Sequence, residues 1–99
     1  MLKRDDVLAK LREHGDKIRA LGATSLYLYG SVARDEATDE SDIDVFIDKP
    51  PGRRLTFREY TGIIHLLEDT FGRAVDVGTR EGLHPTLKSD IVDSAIKVF

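Results

Sequence analysis

Residues 30–48, GSVARDEATDESDIDVFID, open on a glycine-serine pair and close on a strictly alternating run. From Asp42 onward, Ile43, Val45 and Ile47 fall on one side of an extended chain, and Asp42, Asp44, Phe46 and Asp48 on the other. That alternation predicts a β-strand with one buried face and one acidic face. Asp35 to Asp48 carries seven of the chain's 18 acids, with no Lys or Arg among them. Such self-repulsion costs stability unless water or a cation offsets it. Glu36, Asp39 and Glu40 fall in an expected loop, where water suffices. Asp42 and Asp44 start a strand roughly 7 Å apart, at about 3.3 Å rise per residue, which lets both carboxylates reach one ion.

The flanking sequence supplies the rest of a fold. Residues 24–30, TSLYLYG, read as a central strand ending at Gly30, with Leu26 and Leu28 on one side and Tyr27 and Tyr29 on the other. Before it, Val7, Leu8, Leu11, Ile18 and Leu21 recur at helical spacing over residues 5–21. Asp5 or Asp6 would cap that helix, Gly15 would weaken it and Gly22 would end it. After the acidic strand, PPGRR at 50–54 reads as a loop, and Thr56 with Glu59 forms a capping box. That box opens a helix with Phe57, Tyr60, Ile64, Leu67 and Phe71 on its core face, stopped by Gly72. Residues 73–78 make a short strand with Asp76 opposite Val75 and Val77. Pro85 then suits the first turn of a last helix carrying Leu87, Ile91, Ala95 and Val98. The expectation is an α+β fold: a mixed three- or four-stranded sheet, helices mainly on one face, and the carboxylates at an open edge. Residues 1–99 are expected to form a single domain.

Composition narrows the function. A formal charge of −3 lacks the basic surface that gripping free nucleic acid requires. Zero cysteines exclude a disulfide framework, thiolate metal ligands and a cysteine nucleophile. No apolar run is long enough for a bilayer, and the N-terminal residues lack a signal-peptide core, so no membrane partner and a cytoplasmic location are expected. His14, His65 and His84 lie far apart and read as structural or solvated, with His84 placed to cap the last helix.

Carboxylates without nearby His or Cys favour Mg²⁺ or Mn²⁺ over zinc. Mg²⁺ completes its shell with water and substrate phosphates, so a nucleoside triphosphate or similar ligand is expected. If the strand at 73–78 pairs with the acidic strand, Asp76 comes beside Asp44. Three carboxylates could then hold two ions about 3.5–4 Å apart for in-line attack at phosphorus. Gly30 lets backbone approach a phosphate, and the Ser31 hydroxyl can donate to it. Arg34, Arg53 and Arg54 are the candidate cations to offset the charge.

The run Gly-Ser-x-Ala-Arg followed by Ser-Asp-x-Asp, in so short a chain, resembles the minimal nucleotidyltransferases, antitoxins of HEPN/MNT toxin–antitoxin pairs within the polymerase-beta-like nucleotidyltransferase superfamily. The resemblance implies a Mg²⁺-dependent transfer of AMP from ATP to a protein hydroxyl, a tyrosine of a HEPN ribonuclease toxin. It places Gly30 and Ser31 on the nucleotide phosphates and Asp42, Asp44 and Asp76 on the metal. Asp76 doubles as the base for the acceptor proton. Asp35 stands where the family usually has glycine. Aspartate tolerates a left-handed backbone, yet its charge would oppose a triphosphate nearby.

Two other readings stand beside the enzyme. The chain could neutralise a toxin by masking it over an idle metal site, or complete a small-molecule transferase with a second chain. Retention of Ser31 and all three carboxylates favours transfer to a protein. The last helix and the apolar AIKVF at 95–99 are candidates for a homodimer or hetero-oligomer surface.

Overall fold

The structure, a computed structural model, describes residues 2–99. In chain order it contains α1 (Arg4–Glu13), α2 (Gly15–Ala20), β1 (Ser25–Tyr29), α3 (Gly30–Ala33), β2 (Ile43–Asp48), α4 (Phe57–Phe71), β3 (Val75–Thr79), a 3₁₀ turn (Arg80–Gly82), α5 (Lys88–Ser94) and β4 (Ile96–Lys97). The strands form one mixed sheet in the order β3-β2-β1-β4. β1 runs antiparallel to β2 and β4, and β2 runs parallel to β3. This is the expected α+β architecture, with four strands.

One sheet face is apolar because the strands alternate. Leu26, Leu28, Ile43, Val45, Ile47, Val75 and Val77 point to that side and are buried. They pack against Val7, Leu8, Leu11 and Ile18 of α1 and α2 and against Ile63 and Leu67 of α4. Truncating one such side chain to Ala typically costs about 2–5 kcal/mol. Helices α1, α2 and α4 therefore cover this face, and the opposite one carries Tyr27, Tyr29, Asp44, Phe46 and Asp76, with Phe46 buried beneath Arg80.

Several local expectations change. The helix over 5–21 is two helices meeting at His14, whose φ of −99° and ψ of 8° leave the helical range. Gly15 is buried at that joint, where an added Cβ would touch the Phe99 ring at 3.5 Å. Neither Asp5 nor Asp6 caps α1. Both lie inside its first turn, where their charge still suits the helix dipole, and the Arg4 N–H donates instead to Asp35 Oδ1 at 3.1 Å. Phe57, the first residue of α4, is 84% exposed; Tyr60 is half-buried with its hydroxyl donating to the Val77 carbonyl, and full burial begins at Ile63. The last helix ends at Ser94, and β4 follows as a strand paired with Tyr27 and Leu28. Val98 is buried, and Phe99 packs on the core beneath the Arg19 guanidinium, 4.2 Å from its ring centroid. Pro85 precedes α5 within a turn, and His84 Nδ1 accepts from the Thr86 N–H at 3.2 Å.

The capping box at the start of α4 forms as expected. Thr56 Oγ1 accepts from the Glu59 N–H at 3.1 Å, and Glu59 Oε1 accepts from the Thr56 N–H at 2.9 Å. The Thr56 N–H, and next the Arg53 guanidinium, hold the Glu59 carboxyl below its ordinary pKa. Gly72 ends the helix in the left-handed conformation, φ 65°. Among the described residues, no helix is long and apolar enough to cross a membrane.

Candidate active site

The sheet register assembles the acids. Tyr29 of β1 pairs with Asp44 of β2, and Asp44 pairs with Asp76 of β3, so the three side chains form one row on the face opposite α1, α2 and α4. Asp42 lies one residue before β2. Asp76 is exposed and Asp44 is half-buried. The pairing of the second and third strands thus brings Asp44 and Asp76 side by side.

Gly30 closes the end of this row. Its φ is +77°, a conformation that costs an L-residue about 1–2 kcal/mol. A Cβ there would collide with the Asp44 carboxylate, with Asp44 Cγ at 3.2 Å and Cβ at 3.3 Å. Only glycine lets the strand turn into α3 this close to Asp44. Ser31 follows, and its hydroxyl makes no hydrogen bond with another described residue. The end of α3 is fixed by two reverse hydrogen bonds, from the Asp35 N–H to the Val32 carbonyl at 3.0 Å and from the Glu36 N–H to the Ser31 carbonyl at 2.9 Å. This pattern requires a left-handed residue, usually glycine. Asp35 fills it at φ 57°, with its carboxylate bound to the start of α1. That contact turns the extra charge toward α1.

Electrostatics set these acids apart. Burial, then Asp76, then Asp42 push the Asp44 carboxyl above its ordinary pKa, and Arg34 pulls back only in part. The Tyr29 phenol is raised as well, by burial and then by Asp44 and Asp76. No carboxylate of Asp42, Asp44 or Asp76 has an ion pair or hydrogen bond with another described residue. An uncompensated acidic row of oxygen donors suits a hard divalent cation. Among the described residues, no three His, Asp or Glu side chains are drawn onto one point. A cation that takes one or two carboxylates and fills its shell with water and phosphate fits such a site.

Of the three candidate cations, only Arg34 acts on this row. Arg53 pairs with Glu59 at 2.6 Å, at the far end of the sheet. Arg80 is a cation on this face that the sequence reading passed over. Its guanidinium makes a fork with Asp48, Nε to Oδ1 at 2.8 Å and Nη2 to Oδ2 at 3.1 Å. It also lies over the rings of Tyr27 and Phe46. Asp48 is therefore neutralised by Arg80 and stands apart from the other acids. Nothing in the local sequence marks this pair, whose partners are 32 residues apart.

Comparison with known proteins agrees with this geometry. Residues 8–98 match the family model described as "Nucleotidyltransferase domain". Over 75 residues the chain is 39% identical to "Putative protein adenylyltransferase MJ1379" of Methanocaldococcus jannaschii, covering 75% of each. A solved "putative minimal nucleotidyltransferase" superposes with a TM-score of 0.81 at 28% identity, over 97% of this chain and 96% of that one. A second structure, "the toxin-antitoxin with AMP-PNP", shares the fold with a TM-score of 0.70 at 18% identity, over 89% of this chain and 72% of that one. The chain belongs to the nucleotidyltransferase domain family.

Proposed function

We propose that this nucleotidyltransferase transfers AMP from ATP to a hydroxyl of a protein partner, a tyrosine of a HEPN-type toxin, and so acts as its antitoxin. The observation that carries the reading is the row Tyr29–Asp44–Asp76 closed by Gly30. It sets two unpaired carboxylates beside a turn whose backbone and Ser31 hydroxyl are open to a phosphate. The names of the M. jannaschii relative and of the nucleotide-bound toxin–antitoxin support the acceptor class and the nucleotide. Residues 1–99 then serve as one minimal domain to which the partner brings its acceptor.

In this reading Asp42, Asp44 and Asp76 hold Mg²⁺, or Mn²⁺ in its place. The ion supplies charge neutralisation of the triphosphate and of the leaving pyrophosphate. Gly30 and Ser31 hold and orient the phosphates, and Arg34 offsets part of their charge. The acceptor oxygen forms a bond to the α-phosphorus. The bond from that phosphorus to the oxygen bridging to the β-phosphate breaks, pyrophosphate leaves, and Asp76 takes the hydroxyl proton.

The test is intact mass of a HEPN-type partner incubated with the chain, labelled ATP and Mg²⁺. The wild type should add AMP to the partner, and Asp42→Ala/Asp44→Ala should not. An unmodified partner that both proteins silence equally would instead mean a masking antitoxin.

A further inference from the structure

Gly78 lies inside β3 with no conformational reason to be glycine. Its φ is outside the left-handed region, and a Cβ would meet no atom within 4 Å. Glycine in a strand forfeits side-chain packing and loses more entropy on folding than any other residue. The fold alone gains nothing from it.

Its surroundings are specific. Alternation puts Gly78 on the same face as the exposed Asp76. The register pairs it with Phe46, yet Phe46 does not cover it. That ring stacks on Tyr27 of β1, centroids 4.8 Å apart and planes 9° from parallel, on the side of β2 away from β3. Arg80 follows two residues on, fixed by Asp48, with its guanidinium 5.1 Å from the Phe46 ring centroid. A vacant position on β3 thus lies between the Arg80–Asp48 pair and Asp76.

We propose that this vacancy is the acceptor subsite and that it takes a flat aromatic ring bearing the hydroxyl. The inference rests on the transfer reading and makes Gly78 its specificity-determining residue. Gly78 and Asp76 are two residues apart, about 7 Å along the strand. A tyrosine side chain laid over Gly78 spans about that distance and brings its oxygen to the Asp76 carboxylate. A serine entering the same vacancy stops short of it. Arg80 supplies a cation for the face of the ring.

The test is NMR of the ¹⁵N-labelled chain with AMP-PNP and Mg²⁺, titrated with N-acetyltyrosinamide or N-acetylserinamide. Tyrosinamide should shift the Gly78 and Asp76 amides, and serinamide should not. In Gly78→Val the nucleotide-induced shifts at Gly30 and Ser31 should persist while the tyrosinamide response disappears. The same variant should gain roughly 4 °C in thermal midpoint from better strand packing. An equal tyrosinamide response in Gly78→Val, a silent Gly78 in the wild type, or an equal response to serinamide overturns the subsite. Failure of the nucleotide to move Gly30 and Ser31 overturns the transfer reading itself, and the subsite with it.

Discussion

Replacing Gly30 with alanine tests whether the turn and the acidic row form one unit. The substitution carries two costs. Holding an alanine at φ +77° costs about 1–2 kcal/mol. Crowding against Asp44 adds about 1–3 kcal/mol, as overpacking typically does. Rotating the carboxylate away relieves only part of this, because Asp44 Cβ itself would lie 3.3 Å from the new methyl and is fixed by the strand. The total, about 2–5 kcal/mol, is a large share of the roughly 5–15 kcal/mol that stabilises a domain of this size. At about 5 °C per kcal/mol it lowers the thermal midpoint by roughly 10–25 °C. In an Asp44→Gly background, which removes the Cβ as well, most of the crowding disappears and about 1–2 kcal/mol remains. Thermal and urea unfolding of the four proteins, without divalent cation, should therefore give a coupling of about 1–3 kcal/mol. Additivity within about 0.5 kcal/mol would mean that residue 30 does not touch Asp44, and the reasoning fails.

Substitutions at two positions probe the same corner further. Because the folded Asp44 carboxyl titrates above its unfolded value, the folded chain binds more protons there, and without metal its stability falls as pH rises through the range above the ordinary carboxylate pKa. Asp44→Asn should flatten that slope and raise the midpoint at pH 7. Mg²⁺ should stabilise the wild type and not the variant, as calorimetric scans across pH with and without Mg²⁺ would reveal; an unchanged slope would mean that Asp44 ionises freely. At position 35, asparagine keeps both an acceptor for the Arg4 N–H and tolerance of φ 57°, and glycine exchanges the first for more of the second. Both should lie within about 1 kcal/mol of the wild type. Alanine loses both and should cost about 1–2 kcal/mol. Urea midpoints that place alanine level with aspartate would remove the role assigned to this residue.

What the sequence disclosed about this molecule follows the range of the interactions involved. Alternation over residues 42–48, the Thr56–Glu59 box and the stop at Gly72 are local, and each forms where the residue pattern puts it. The Asp44–Asp76 pairing was conditional on which strands meet, and the parallel β2–β3 register meets that condition. The misread segments are those where distant contacts decide. Residues 95–99 have a helical spacing, yet two residues of strand form because β1 offers an open edge and the Phe99 carbonyl accepts from the Leu26 N–H at 3.1 Å. Phe57 satisfies the helical stripe, but it is the first residue of α4 and stays exposed, while full burial along the helix begins only at Ile63. Arg80 was illegible because an arginine after a strand carries no signal of an aromatic pair waiting on two other strands.

Away from the face that carries the acidic row the chain obeys ordinary rules of stability. Its longest helix is capped at both ends, and no buried side-chain polar atom among the described residues lacks a hydrogen-bond partner. On that face it departs from them within a few residues of one another. Gly30 is forced by a carboxylate, Asp44 is half-buried among like charges with no partner, and Gly78 leaves a strand position bare. None of these improves packing, and the latter two are each removable by a single substitution that local rules would favour. Departures scattered over a fold read as tolerated imperfection, but departures confined to one face read as constraint from what that face must hold. The three positions make different demands: close approach of a backbone, excess negative charge, and empty space. On the proposed reading a triphosphate, a divalent cation and an incoming ring would answer them in turn, and the same row that weakens the empty domain is the one a bound substrate would strengthen.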